Sequence, residues 1–200
     1  MSLHYLSADQ LLSDSQQLAI NILKSGFVPD LLVALWRGGT PVGIGIHEVL
    51  ALTGHRCEHL PIRAESYTGI NEQREVRFSG LELLHSFIIT HTSSRILLVD
   101  DVFDTGRTIQ ALVRKINDLV GHQSLDIRIA TPWFKPGKNR TSMLPDFYLH
   151  TTEEWLVFPH ELQDLSNEEM LAKPGNPEVM TQLVEVRRLA MPPSQAPGQA

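Results

Sequence analysis

Leu97-Leu98-Val99-Asp100-Asp101-Val102-Phe103-Asp104-Thr105-Gly106-Arg107-Thr108 passes within twelve residues from unbroken apolar sequence to clustered acids and then to hydroxyls, a glycine and an arginine. The apolar part, Ile96 to Val99, has the pattern of a strand buried on both faces of a parallel sheet. Asp104-Thr105-Gly106 is a turn, and Ile109 to Val120 is an amphipathic helix stopped by Gly121. The same order occurs upstream. Asp30 to Trp36 is a nearly continuous apolar run, Arg37-Gly38-Gly39 a glycine turn, and Thr40-Pro41 an N-cap and first helical residue for a helix running towards Gly54. Ile127 to Thr131 supplies a further strand. Strands alternating with helices predict an α/β fold with a doubly wound, mostly parallel sheet, whose ligands lie at the carboxyl ends of the strands. Both glycine turns fall on that edge.

Working outward, Ser7 to Lys24 reads as an opening helix with a Ser7/Gln10 cap, closed by Gly26. Ala64 to Gly80 is polar and aperiodic, either a mobile functional loop or a short hairpin. Pro132 to Pro145 is rich in Pro, Gly, Lys and Arg, followed by short strands at Phe147 to Thr151 and Trp155 to Phe158, and Asn176-Pro177 starts a final helix. The organisation expected is a single domain over 1–190, with its core at 27–131, a hood at 132–165, a terminal helix at 177–190, and a disordered tail at 191–200. A formal net charge of −6 in 200 residues opposes a broad basic face for nucleic acid and favours small-molecule work. The single cysteine, Cys57, cannot form an internal disulfide, and no stretch reaches the ~20 apolar residues of a membrane span, so the cytoplasm is expected.

A glycine turn between a buried strand and a helix N-terminus aims backbone N–H groups at one point, where the helix dipole also favours an anion. Asp104 to Thr108 is built that way, with two hydroxyls and a guanidinium to hand. It lacks the spacing of a triphosphate loop or of a dinucleotide fold, so a monophosphate fits better. Asp104 alone could be a helix cap. Adjacent acids Asp100 and Asp101 at the end of a buried strand instead need a partner such as a sugar diol or a hard metal ion.

The string Val99 to Thr108 resembles the phosphoribosyl pyrophosphate motif of type I phosphoribosyltransferases. The resemblance implies that Asp100 and Asp101 bind the ribose hydroxyls and that Thr105, Gly106, Arg107 and Thr108 surround the 5′-phosphate. Asp104 stands where the adenine, orotate and uracil branches carry an apolar residue and the 6-oxopurine branch an acid facing N7, which implies hypoxanthine, guanine or xanthine as acceptor. Arg37-Gly38-Gly39 resembles the family's pyrophosphate loop, with Trp36 in place of a small residue. Ser66-Tyr67 resembles the pair on a flexible loop that closes over the reacting centre. Lys135-Pro136, Pro145 to Tyr148 and Trp155 to Glu161 are similar to the base-recognition segment of hypoxanthine-guanine and xanthine-guanine enzymes. There Lys135 would recognise the 6-oxo group, Trp155 would stack on the purine, and the Leu156 backbone would contact the ring edge. Glu161 replaces the family's usual Asp.

The resemblance extends in patches from Asp30 to Glu161. It implies displacement of pyrophosphate from the anomeric carbon of phosphoribosyl pyrophosphate by a purine nitrogen. Catalysis would depend on Mg2+ held by Asp100, Asp101 and Glu161, largely through substrate phosphates and water. A homodimer or homotetramer is implied as well. Two rival readings stay open on the same fold, a regulator that senses phosphoribosyl pyrophosphate and a pyrimidine phosphoribosyltransferase.

Overall fold

The computed structural model describes residues 3–68, 74–91, 94–120 and 125–190, with the backbone alone at 66–68, 74, 75 and 120. In chain order the elements are β1 (Leu3–Tyr5), α1 (Ala8–Lys24), β2 (Leu31–Trp36), α2 (Gly39–Leu52), β3 (Glu58–Thr68), β4 (Arg74–Ser79), α3 (Leu81–Thr90), β5 (Arg95–Val99), β6 (Val102–Phe103), α4 (Arg107–Val120), β7 (Asp126–Ala130), β8 (Trp133–Phe134), β9 (His150–Thr151), β10 (Trp155–Val157), α5 (Asn167–Ala172) and α6 (Pro177–Ala190), with a 3-10 turn at Pro136–Lys138. They form two compact units, one of Leu12–Glu153 and one of the flanking segments up to Leu11 and from Glu154.

In the larger unit a five-stranded sheet has the order β4-β3-β2-β5-β7. β2 is parallel to both β3 and β5, β5 is parallel to β7, and only β4 runs antiparallel, along β3. This is the α/β sheet expected from the apolar runs, and the alternation within β2 shows why those runs had to be continuous. Leu31, Val33 and Leu35 join Leu84 and Ile88 of α3 and Ile109, Leu112 and Ile116 of α4 in one core. Leu32 and Ala34 face α2, where a Cβ on Gly43 would lie 3.1 Å from both side chains. A strand covered by helices on both faces has no exposed side on which to place polar residues.

A second, three-stranded sheet of order β6-β8-β9 is decisive for the site. Its parallel register sets Phe103 opposite Phe134, so the residues that follow, Asp104 and Lys135, leave neighbouring strands side by side. Phe103 and Phe134 meet edge to face with ring centroids 5.7 Å apart, and the Lys135 N–H donates to the Phe103 carbonyl at 2.9 Å.

In the smaller unit β1 runs parallel to β10, with Leu3 opposite Trp155 and Tyr5 opposite Val157. Val157, Leu165, Met170 and Val184 form its core. Ser166 and Glu169 close a capping box at the start of α5, and the Arg187 guanidinium donates to the Leu165 carbonyl at 2.6 Å.

Several boundaries differ from the sequence expectation. α2 begins at Gly39, because Gly38 already has helical angles (φ −62°, ψ −40°), and the Thr40 N–H turns back to the Arg37 carbonyl at 3.2 Å. Thr40 is therefore inside the first turn rather than its cap, and its hydroxyl is buried without a hydrogen-bond partner. The polar segment after Ala64 is the hairpin alternative in its described part, since Ser66 pairs with Val76 and Tyr67 with Glu75 across β3 and β4. Residues 69–73, Gly121 and the expected tail at 191–200 lie outside the described residues. Among the described residues no helix is long and apolar enough to cross a membrane.

Candidate active site

β2 and β5 are neighbours, and both glycine turns leave from their carboxyl ends. The Trp36–Arg37 peptide bond is cis, and the chain then passes so close to β5 that side chains are excluded. A Cβ on Gly38 would lie 2.1 Å from Asp101 Oδ2, and one on Gly39 would lie 2.2 Å from the Val99 carbonyl oxygen. The first clash is with a side chain that could move; the second is with backbone that cannot. Arg37-Gly38-Gly39 is thus packed directly on the acidic pair, with Arg37 exposed above it.

Asp101 is 8 % exposed. Asp100 accepts the Asp101 N–H at 3.0 Å through Oδ1. Burial, and then the charge of Asp101, push the Asp100 carboxyl above the ordinary carboxylate range. Two acids in that position favour a ligand that supplies donors or positive charge.

Beyond them the chain forms β6 and then the turn Asp104-Thr105-Gly106, where Gly106 has φ +73°. The first intrahelical bond of α4 runs from Gln110 N–H to Gly106 O at 2.9 Å, so the amides before it have no partner within the helix. They border a cavity of about 200 Å³ lined by Asp100, Asp101, Asp104, Thr105, Gly106 and Thr108. Helix N-terminus, positive-φ glycine and hydroxyl-bearing residues line it together. Arg107 is exposed at the mouth of α4.

Asp104 and Lys135 form a pair that residue spacing alone did not reveal. Lys135 is 3 % exposed, with Nζ 3.7 Å from Asp104 Oδ2. Burial pulls its pKa below the usual lysine value, and the Asp104 charge works against that fall. The other oxygen, Asp104 Oδ1, is buried with no hydrogen-bond partner.

In the smaller unit, Trp155 is 48 % exposed whereas Leu156 is 5 % exposed. The half-exposed indole therefore does not belong to the core, and Leu156 holds its strand to it. Glu161 accepts the Phe158 N–H at 3.1 Å through Oε2. Lys173, absent from the sequence reading, is buried, and its ammonium donates to the carbonyls of Phe158 and Glu161. Its pKa is lowered by burial and supported by the charge of Glu161. A lysine next to a short, weakly apolar helix gives no sign in sequence that it will turn inward. Ser66 and Tyr67 lie just before the last residue of β3, Thr68, and their side chains lie outside the described part of the structure.

The sequence matches the phosphoribosyl transferase domain over residues 4–166. The chain belongs to the phosphoribosyl transferase family. The matched region includes both glycine turns, the acidic pair, Asp104, Lys135 and Trp155, and the chain is accordingly an enzyme of phosphoribosyl transfer. Its structure is similar to that of a purine phosphoribosyltransferase from Pyrococcus horikoshii Ot3, at 26 % identity and a TM-score of 0.63, covering 82 % of this chain and 98 % of that one. The xanthine-guanine-hypoxanthine phosphoribosyltransferase of Helicobacter pylori shares the fold, at 24 % identity and a TM-score of 0.59, covering 78 % and 92 % of the two chains. No curated protein matches the sequence. Within the phosphoribosyltransferase fold, the expected doubly wound sheet and the expected family are both present.

Proposed function

We propose that this phosphoribosyltransferase moves the 5-phosphoribosyl group of phosphoribosyl pyrophosphate to a 6-oxopurine, giving the nucleoside 5′-monophosphate and pyrophosphate. The supporting observation is the buried, unpartnered Oδ1 of Asp104 beside the buried ammonium of Lys135. A polar atom removed from water without a partner costs on the order of 1–3 kcal/mol, which a ligand carrying the matching donor would recover. The edge of a 6-oxopurine offers a ring N–H at N7 beside the acceptor oxygen on C6. Acceptor Asp104 next to donor Lys135 is the complement of that edge, whereas adenine would set its amino group against the lysine.

In this reading the amides and hydroxyls of Thr105, Gly106 and Thr108, with Arg107, hold the 5′-phosphate. Asp100 and Asp101 orient the ribose hydroxyls, and the Arg37-Gly38-Gly39 backbone accommodates the pyrophosphate. The purine nitrogen forms its bond to the anomeric carbon as the bond to the pyrophosphate oxygen breaks, and Asp104 takes the N7 proton or holds the reacting tautomer. Trp155 stacks on the base, the Leu156 backbone meets its edge, and Ser66-Tyr67 shields the centre from water.

Asp100 and Asp101 are hard oxygen donors, and the burial and mutual repulsion that raise Asp100 are relieved by a divalent cation. They fit Mg2+, and the family resemblance adds Glu161 to the same set. When bound, the ion supplies neutralisation of charge on the departing pyrophosphate. Assembly as a homodimer or homotetramer belongs to the same reading and rests on family membership, while the cytoplasm rests on the lone cysteine and the lack of a long apolar stretch.

The test is pyrophosphate release with Mg2+, phosphoribosyl pyrophosphate and each nucleobase in turn. Release with hypoxanthine, guanine or xanthine is expected. Release with uracil or orotate alone would establish the pyrimidine reading, and binding of phosphoribosyl pyrophosphate without release for any base would establish a sensor.

A further inference from the structure

The segment Lys138 to Met143 has no assigned part in phosphoribosyl transfer, yet it is bonded to the phosphate loop. The Arg140 N–H donates to the Thr105 carbonyl at 3.0 Å. A Cβ on Gly106 would lie 2.7 Å from Thr141 Oγ1, so Thr141 packs against the loop at its positive-φ residue.

Asn139 fixes that segment. Its Oδ1 accepts the Thr141 N–H at 2.9 Å and the Thr141 hydroxyl at 3.0 Å, while its Nδ2 donates to the Met143 carbonyl at 2.9 Å. An Asn side chain bonded to the N–H two residues on is an Asx-turn, and the residue held at its centre is Arg140. The Arg140 guanidinium folds back onto the carbonyls of Gly137 and Asn139, which leaves the backbone N–H as the group this residue gives to the loop.

A trans peptide is planar, with its C=O and N–H directed to opposite sides. The group that holds the Thr105 carbonyl therefore also decides where the N–H of Gly106, in the same peptide plane, is aimed. The carbonyl is tied to Arg140, so that N–H is directed away from Arg140. Gly106 cannot resist reorientation by itself, because glycine has the widest choice of backbone angles.

We infer that Asn139 is a positioning residue for the 5′-phosphate: its Asx-turn presents the Arg140 N–H to Thr105 and so locks the Gly106 amide in its phosphate-binding direction. The inference rests on reading Thr105 to Thr108 as the phosphate loop. An uncharged side chain that never touches the donor would then control its affinity through one peptide plane.

The experiment is calorimetric titration, in Mg2+, of wild type, Asn139→Ala, Asn139→Gln and Asn139→Asp with phosphoribosyl pyrophosphate and, separately, with inorganic pyrophosphate, which lacks the 5′-phosphate. Gln keeps the amide but is one methylene too long to close the same turn; Asp keeps the acceptor oxygen. Asn139→Ala and Asn139→Gln should each raise the Kd for phosphoribosyl pyrophosphate about tenfold and leave that for pyrophosphate within about twofold, with Asn139→Asp within about threefold of wild type for both ligands. Equal weakening of both ligands by either variant marks a general loosening of the fold and overturns the inference. Unchanged affinity for phosphoribosyl pyrophosphate in the folded Gln variant overturns it too, whatever becomes of Ala. If wild type itself does not bind phosphoribosyl pyrophosphate, the phosphate-loop reading falls and the inference with it; wild-type binding with insensitive variants leaves that reading intact.

Discussion

Asp104 has one oxygen 3.7 Å from a buried ammonium and the other buried without a partner, and this asymmetry gives its substitution a defined signature. Asp104→Asn preserves volume while removing the charge that supports Lys135 and the capacity to take a proton. Turnover should fall by about 10²–10⁴, the usual worth of a positioned acid or base, with the Kd for phosphoribosyl pyrophosphate within a few-fold of wild type. Burial already lowers the Lys135 pKa, and Asp104 opposes the shift. Without that carboxylate the pKa drops further, so the alkaline limb of purine binding moves to lower pH in the variant. Steady-state pH profiles check both expectations; an unmoved alkaline limb would remove Lys135 from base recognition. Asp104 stood out in sequence within the acidic cluster after an apolar strand, and Lys135 only through the family resemblance, since no strand was expected before it. Their pairing did not, since it depends on the parallel register of two-residue strands too short to give a periodicity. Asn139 was hidden for a related reason, as one polar residue in a stretch rich in Gly, Pro and Lys whose Asx-turn connects to the site only through the Thr105 carbonyl that Arg140 meets.

At the scale of elements, the carboxyl ends of β2 and β5 carry the proposed site and their amino ends carry an anchor. Asp30 Oδ2 accepts the Arg95 N–H at 2.8 Å and Nε at 3.2 Å, and Oδ1 accepts Nη2 at 2.9 Å, which ties the start of β5 to the residue before β2. Hydrogen bonding to Arg95, only partly offset by burial, holds the Asp30 carboxyl below its ordinary pKa. A carboxylate depressed in the folded state adds stability that is fully present above its unfolded pKa of about 3.9 and lost as pH falls through the folded value. The Asp30 side chain is 38 % exposed, so solvent screening keeps the contribution near 1 kcal/mol. Asp30→Asn should therefore cost about that much in urea denaturation at pH 7 and pH 5, and the gap to wild type should close below about pH 4. A gap that persists in acid would mean that the side chain acts by packing. The strands bearing these groups could be read from apolar runs, whereas α3 could not. Its ten residues from Leu81 to Thr90 are too short a run to set a helical period apart from a strand, with Leu83 and Ile89 exposed beside buried Leu84 and Ile88. Gly80 starts it at φ +98° with no side-chain cap, so neither face nor boundary was marked. α5 is only six residues long, and its Ser166-to-Glu169 box went unread because no long periodic run follows it.

For the molecule as a whole, charge poses the question that binding has to answer. A chain of net charge −6, with three acids around one cavity, repels a donor that itself carries several phosphates. On the proposed reading, attraction is local, from backbone N–H groups, from Arg37 and Arg107, and from the Mg2+ that Asp100 and Asp101 would hold. Ligand that binds only the folded chain adds RT ln(1 + [L]/Kd), about 2.7 kcal/mol at a hundredfold excess over Kd. For a chain of this size that corresponds to a rise in Tm of roughly 5–10 °C. Phosphoribosyl pyrophosphate with Mg2+ should reach this range in a thermal melt. The same ligand with EDTA should give less than about half of it, and Mg2+ alone should do little beyond easing the repulsion between Asp100 and Asp101. An equal rise with and without EDTA would show that the amides and arginines suffice to overcome the acidic field, and would remove the cation from the donor site.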